Sequence, residues 1–346
     1  MDAKATVEGV EVSTLHWIGG ERVASASRSA VGAAVGAATF ADVSPVDETV
    51  IAEVASGGPA DAERAVAAAR SAFPGWATTP SGERARLLQA VADGVDAQVE
   101  RLAVVETRDN GSLLRSLRRS VMPRVARNFR FFADQRLALT GSSGAERQAF
   151  EQDGHRSRVA WDPAGVTAVV TPWNAPLMLA TWRVAPALAA GDTVVLKPPE
   201  WAPLTASLLA DVARDAGLPD GVLNVLQGTG EEAGAALVAH PGVDRVAFTG
   251  SAATGRLVAQ AAGANLTPVS LELGGKSPLL VFADADLDAA VGQAANQYDN
   301  AGQVCLAGTR LLVEEPVYDE FVERLSAAAK TSTRATRAPS AATSAR

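Results

Sequence analysis

Between Gly165 and Ala262 short apolar runs alternate with longer segments of helical periodicity, and this alternation restricts the fold more than any other feature. The pattern predicts strands at Val166–Val170, Thr193–Lys197, Val222–Leu226 and Val243–Phe248. Helices are expected between and after them, at Pro176–Ala190, Pro203–Ala216, Glu231–Ala239 and Ser251–Ala262. Near-continuous Val, Leu and Ala strands are buried on both faces, and strands joined through helical crossovers run parallel. The expected fold class is therefore α/β, a doubly wound parallel sheet. Sheets of that kind take ligands beyond the carboxyl ends of their strands, so site residues should follow strands. At 346 residues the chain exceeds the size at which one core keeps growing, which points to two or more domains.

Outside this region the pattern is less regular. Residues 15–24 and 39–55 alternate apolar and polar side chains and read as short antiparallel strands. Between them Ser27 to Ala38 is low-complexity Ser, Ala, Gly and Val, expected to be a surface insertion or disordered loop. Helices are predicted from Pro59 to Phe73, from a Ser81-Gly82-Glu83 cap to Glu106, and from Leu113 to Leu139. A break at Gly141–Gly144 precedes a hairpin within 147–162. Strands at Val269–Leu273 and Leu279–Phe282 are followed by a helix led by Asp284 and Asp286. A loop holding Cys305, a strand Arg310–Val313 and a helix Val317–Ala329 come next. Thr331 to Arg346 lacks periodicity and apolar anchors and is expected to be disordered.

The net charge of −8, without any Lys/Arg block, argues against a nucleic-acid partner. A single cysteine excludes an internal disulfide and suits a reducing, cytoplasmic location. Only His16, His155 and His240 are present, with no pair at metal-binding spacing, so no metal is expected. No apolar run reaches the length of a membrane span.

Several residues carry potential chemistry. On composition alone a lone Cys is more often an inert buried side chain, but Cys305 stands in a Gly-flanked loop after a helix, a setting that reverses this and gives a thiolate access to a carbonyl. Glu272, flanked by Leu271 and Leu273 at a strand end, is read as half-buried, which suits a general base; its alternative is an ion pair with Lys276. Asn174 follows the first strand of the repeat, positioned either to donate to an oxyanion or to cap the helix at Pro176. Lys197 and Glu200 close the second strand where a ribose would lie, and a carboxylate there repels a 2′-phosphate, favouring NAD over NADP; a solvated loop pair is the alternative. Gly250-Ser251 leads into a helix whose N–H groups suit a pyrophosphate, and Gly228–Gly234 is a glycine-rich loop outside the dinucleotide fingerprint.

Taken in order, Pro172-Trp173-Asn174, Lys197-Pro198-Pro199-Glu200, Phe248-Thr249-Gly250-Ser251, Leu271 to Pro278 and Gly302-Gln303-Val304-Cys305 resemble the NAD(P)-dependent aldehyde dehydrogenase superfamily from about Leu15 to Ala329. The resemblance implies Cys305 as nucleophile, Asn174 and the Cys305 N–H as oxyanion donors, and Glu272 as the base that hydrolyses a thioester. It implies Thr171, Pro172, Trp173, Lys197, Glu200, Gly230, Gly250, Ser251 and Leu273 along the cofactor groove, with NAD as cofactor and an aldehyde as substrate. The stretch Arg118 to Asp134 is similar to the hydroxymuconic semialdehyde branch. Expected domains are 1–140 with 159–270 for the cofactor, a bridging or oligomerisation hairpin at 141–158, a partial catalytic domain at 271–330 and a tail at 331–346. Full-length relatives are homo-oligomers that continue well past the nucleophile, so a truncated product is expected here. The competing expectation is an inactive fragment that keeps at most nucleotide binding.

Overall fold

The computed structural model describes residues 4–31, 34–140 and 147–331. Strands β1 (Lys4–Val7) and β2 (Val10–Ser13) form an antiparallel pair that periodicity did not reveal. They are followed by β3 (His16–Ile18) and β4 (Glu21–Val23). The low-complexity stretch is not an irregular loop: β5 (Arg28–Val31) and β6 (Ala34–Ala37) pair antiparallel, with residues 32–33 outside the described chain. Its small residues supply no alternating pattern, but backbone pairing needs none. A further hairpin joins β7 (Thr39–Val43) and β8 (Val50–Ala55).

Helix α1 (Pro59–Thr78) opens on Pro59, and the buried Asp61 carboxylate accepts from the N–H groups of Gly58 and Ala26. The predicted second helix is two, α2 (Ser81–Ala97) and α3 (Val99–Asn110), separated by the non-helical Gln98. The apolar spacing runs across this break because both helices bury their leucines and valines in one core. Next come α4 (Leu114–Ser116), a π-helical turn at Leu117–Val121 and α5 (Met122–Thr140). The hairpin β9 (Arg147–Gln152) and β10 (His155–Ala160) follows, and Gly141–Gly144 lies outside the described residues.

The repeating unit consists of β11 (Val166–Val170), α6 (Pro176–Ala190), β12 (Thr193–Lys197), α7 (Leu204–Asp215) and β13 (Leu223–Val225). A π-helical turn at Gly230–Gly234 leads into α8 (Ala235–Val238), then β14 (Arg245–Gly250), α9 (Ala252–Ala264) and β15 (Val269–Leu273). The sheet order is β15-β14-β11-β12-β13-β3-β4, with the first five parallel and β3 and β4 antiparallel. Chain direction across the sheet reverses at β11, so the crevice between the ends of β11 and β14 is the switch point where such folds bind ligands. One face is covered by α6 and α7 through Leu188 and Leu208, with α2 and α5 packed over them through Leu88 and Phe129, and the other by α1, α8 and α9 through Val66, Leu237 and Val258. Beyond the sheet, β16 (Pro278–Val281) pairs parallel with β17 (Arg310–Val313). With α10 (Leu287–Asn296) and α11 (Glu315–Thr331) they enclose a small core around Phe321. The tail beyond residue 331 lies outside the described residues. Among the described residues no helix is long and apolar enough to cross a membrane.

Three buried carboxyls stand where α3 meets the sheet layer. Glu106 Oε2 accepts from the Leu177 N–H at 3.3 Å and from Thr205 Oγ1 at 2.9 Å, and Asp109 Oδ2 accepts from the Leu204 N–H at 2.9 Å. Burial pushes Glu106 up to about 7 against these hydrogen bonds, which favour its anion. Burial and the neighbouring Asp42 charge hold Asp109 well above the carboxylate range; Asp42 is raised by burial to about 6, opposed by the nearby Asp109 carboxyl.

A carboxyl raised on folding contributes fully below its unfolded value of 4.5 and loses that contribution as pH rises through about 7. Glu106→Gln removes this dependence. In urea unfolding, stability of the wild type relative to the variant is expected to fall by about 3 kcal/mol between about pH 4.5 and about pH 8. A difference that stays constant with pH would contradict a neutral Glu106 in the folded chain.

Candidate active site

The segment leaving β11 turns through Thr171-Pro172-Trp173-Asn174 before α6 begins. Asn174 does not cap that helix, because the N-cap is Ala175. Its amide Nδ2 donates instead to the Gln303 carbonyl at 2.8 Å, and Asn300 Nδ2 donates back to the Asn174 carbonyl at 3.1 Å. These two bonds join the oxyanion candidate to the loop that ends at Cys305. The loop is strained. Asn300 (φ 49°), Ala301 (φ 59°) and Gly302 (φ 74°) form a left-handed run, which Gly adopts without cost but Ala does not. Ser112 Oγ donates to Asn300 Oδ1 at 3.3 Å and Gln303 Nε2 to the Asn300 carbonyl at 3.0 Å, which hold the run in place.

Asn174 and Cys305 face a common cavity of about 290 Å³, also lined by Met178, Trp182, Gln303 and Arg124. Cys305 is exposed, so the inert buried reading does not apply. The Arg124 guanidinium stacks 5.0 Å from the centre of the Trp182 ring, a cation placed at the cavity wall.

On the neighbouring side, Lys197 and Glu200 pair at 2.9 Å, with Lys197 only 2 % exposed, so they are no solvated loop pair. Burial lowers the Lys197 ammonium, opposed by the Glu200 charge. For Glu200 burial pushes upward, but the Lys197 charge and hydrogen bonds that include the Gly230 N–H hold it below the usual carboxylate range. Trp173 and Trp201 lie with ring centres 6.4 Å apart, both exposed beside this groove. The hydroxyl of Thr171 is buried without a hydrogen-bond partner at the end of β11. Ser251 caps α9, accepting from the Thr254 N–H at 3.1 Å, and a side chain at Gly250 would strike the Phe248 ring at 2.5 Å. Leu273 packs against α9 at Gly255. An unpaired donor, a cation–carboxylate pair and a capped helix N-terminus, all at carboxyl ends of parallel strands, fit a dinucleotide.

Glu272 differs from its reading. Its side chain is 65 % exposed, it pairs with Arg183 Nη2 at 3.2 Å rather than with Lys276, and it is not among the residues lining the cavity. The flanking leucines suggest burial, but β15 is the edge strand of the sheet and is covered only in part. The loop after it does reach the thiol loop, since Gly275 lies against the Cys305 carbonyl. Reading the sequence also missed Glu106, Arg124, Arg183 and Asn300 as participants. Glu106 and Asp109 carried a usable signal, two acids one turn apart on an otherwise apolar helix face.

The model of the aldehyde dehydrogenase family matches residues 33–342. The chain is 43% identical over 309 residues to the 5-carboxymethyl-2-hydroxymuconate semialdehyde dehydrogenase of Escherichia coli, covering 89% of this chain and 62% of that protein. Among solved structures, HpcC from Thermus thermophilus superposes with a TM-score of 0.85 at 43% identity, over 92% of this chain and 59% of that one. PnpE from Pseudomonas sp. WBC-3, also solved with nicotinamide adenine dinucleotide, gives 0.87 at 38% identity, over 94% of this chain and 64% of that one. The chain thus spans about three fifths of the length of these relatives. With the family model matched over most of its length and the sheet, groove and thiol loop in one arrangement, the chain belongs to the aldehyde dehydrogenase family, a family of NAD(P)-dependent enzymes.

Proposed function

We propose that this chain provides the nucleophile, oxyanion donor and nucleotide groove for oxidising an aldehyde to a carboxylic acid with NAD. The observation that carries the reading is the placement of Asn174 and Cys305 on one cavity wall, beside the Lys197–Glu200 groove. The Cys305 thiolate adds to the aldehyde carbon, forming a C–S bond and leaving the negative charge on oxygen. A primary amide has two N–H donors; one from Asn174 is engaged by Gln303, and the other serves the oxyanion together with the Cys305 N–H. NAD, when bound along Thr171, Pro172, Trp173, Lys197, Glu200, Gly230, Gly250, Ser251 and Leu273, supplies the hydride acceptor. Glu272 then takes a proton from the water whose oxygen attacks the resulting thioester, and the thiolate leaves. To reach that water the carboxylate has to leave Arg183, whose own side chain is only 21 % exposed. The charge that Glu200 retains favours NAD over its 2′-phosphorylated form.

The substrate class is an aldehyde that carries a carboxylate. Arg124 supports this, a cation held by Trp182 at the cavity wall, and the semialdehyde dehydrogenase among the relatives is consistent with it. A single thiol that must stay reduced supports a cytoplasmic setting for the reaction. We also assign residues 271–330 to the catalytic side and 1–140 with 159–270 to the nucleotide side, with the 141–158 hairpin between them.

In a direct assay of NADH production, Cys305→Ala is expected to abolish turnover, and undiminished turnover would remove Cys305 from the nucleophile role. Glu272→Gln is expected to give a single burst of NADH and then a steady rate lowered on the order of 10²–10⁴-fold. Calorimetric NAD binding without turnover by the wild type would leave the chain a nucleotide binder only. Arg124→Ala should raise KM for a carboxylate-bearing aldehyde by about 10- to 100-fold, the loss of one charged hydrogen bond, while hardly changing that for a neutral aldehyde. Equal effects on both would overturn the substrate class.

A further inference from the structure

Glu106 takes no part in the chemistry above, yet it is fully buried and lines the same cavity as Asn174 and Cys305. One oxygen, Oε2, receives the Leu177 N–H of α6 and the Thr205 hydroxyl of α7. Three residues along α3, Asp109 receives the Leu204 N–H of α7. Helix N-termini leave N–H groups without partners inside their own helix. Here two of these are satisfied from a third helix. Neither α6 nor α7 has a side-chain cap of its own. The segment before α6 carries Asn174, and the segment before α7 carries Lys197 and Glu200. A single carboxyl oxygen therefore bonds to the first turns of both helices that follow the two halves of the site.

We propose that Glu106 is a positioning residue that registers the Asn174 segment against the Lys197–Glu200 segment, so that occupancy of the nucleotide groove is transmitted to the oxyanion donor. Asp109 anchors the α7 side of this bridge. Only the transmission rests on the nucleotide-binding reading; the mechanical link does not. Main-chain bonds in the sheet join β11 to β12, but these end at Thr171 and Lys197, and the first turns of the two helices, although packed in one core, share no main-chain hydrogen bond. The side chain of Glu106 closes that gap.

The test is hydrogen exchange read by mass spectrometry on segments 177–182 and 204–209, with α9 and β14 as internal controls. In Glu106→Ala both segments are expected to exchange about tenfold faster, the loss of one buried hydrogen bond, with the controls unchanged. Glu106→Gln, which keeps an acceptor at the same place, should restore both. Thr205→Val removes only the hydroxyl on α7, and the bridge requires it to loosen segment 177–182 on α6 as well. This variant decides the matter if the alanine variant does not fold. Saturating NAD should protect 177–182 in the wild type and in Glu106→Gln but not in Glu106→Ala, a difference that simple core packing would not produce. Loosening confined to the mutated helix, acceleration shared by the controls, or NAD protection of 177–182 that survives in Glu106→Ala would each overturn the proposal. A wild type that binds no NAD would retire the nucleotide reading and the transmission, while the ligand-free arm still decides the mechanical link.

Discussion

Reversal of strand order at β11 determines where every polar group of the site has to stand. β11 and β12 are buried along their whole length, so their polar residues can surface only at the strand ends. The parallel direction puts those ends on one edge, and the helices on either face diverge there and leave a crevice. Thr171, Lys197 and Gly250 all occupy such ends. Their convergence is a result of sheet geometry, and no local preference of the three segments would bring them together.

Placing polar groups at the edge of so apolar a layer forces some of them out of water. Lys197 is almost wholly buried, and its charge persists because Glu200 lies against it. Among the described residues no cation pairs with Glu106 or Asp109, and their burial is eased by a raised proton affinity and by N–H groups from helix starts. Two chemistries thus come from one residue type. A carboxylate paired with lysine keeps its charge and repels phosphate, whereas a carboxyl without such a partner becomes a neutral strut between helices.

The thiol loop shows a similar exchange of local for distant energy. A left-handed run at Asn300-Ala301-Gly302 is unfavourable by itself, of order 1–3 kcal/mol for each non-glycine residue. It persists because Gln303 bonds to it within the loop and Asn174 and Ser112 bond to it from outside, and the last two bonds exist only once the segments beside α6 and α3 have docked. The Cys305 thiol is consequently presented by tertiary structure, and loosening the helices would be felt there although the two are far apart in sequence.

Periodicity in the chain determined the parallel strands, the crossover helices and the edge on which a site must lie, because burial of apolar faces is recorded residue by residue in spacing. The motif order drew Cys305, Asn174, Lys197 and Glu200 out of the sequence as candidates. Tertiary structure alone decided that Asn174 turns toward Gln303 instead of capping its helix, and that Glu272 is exposed on an edge strand and paired with Arg183. It alone decided that a hairpin forms where small residues show no pattern, and that Glu106 joins two helices. The reason is the same in each case. A hydrogen-bond partner more than a hundred residues away, as Gln303 is from Asn174, leaves no mark on local spacing.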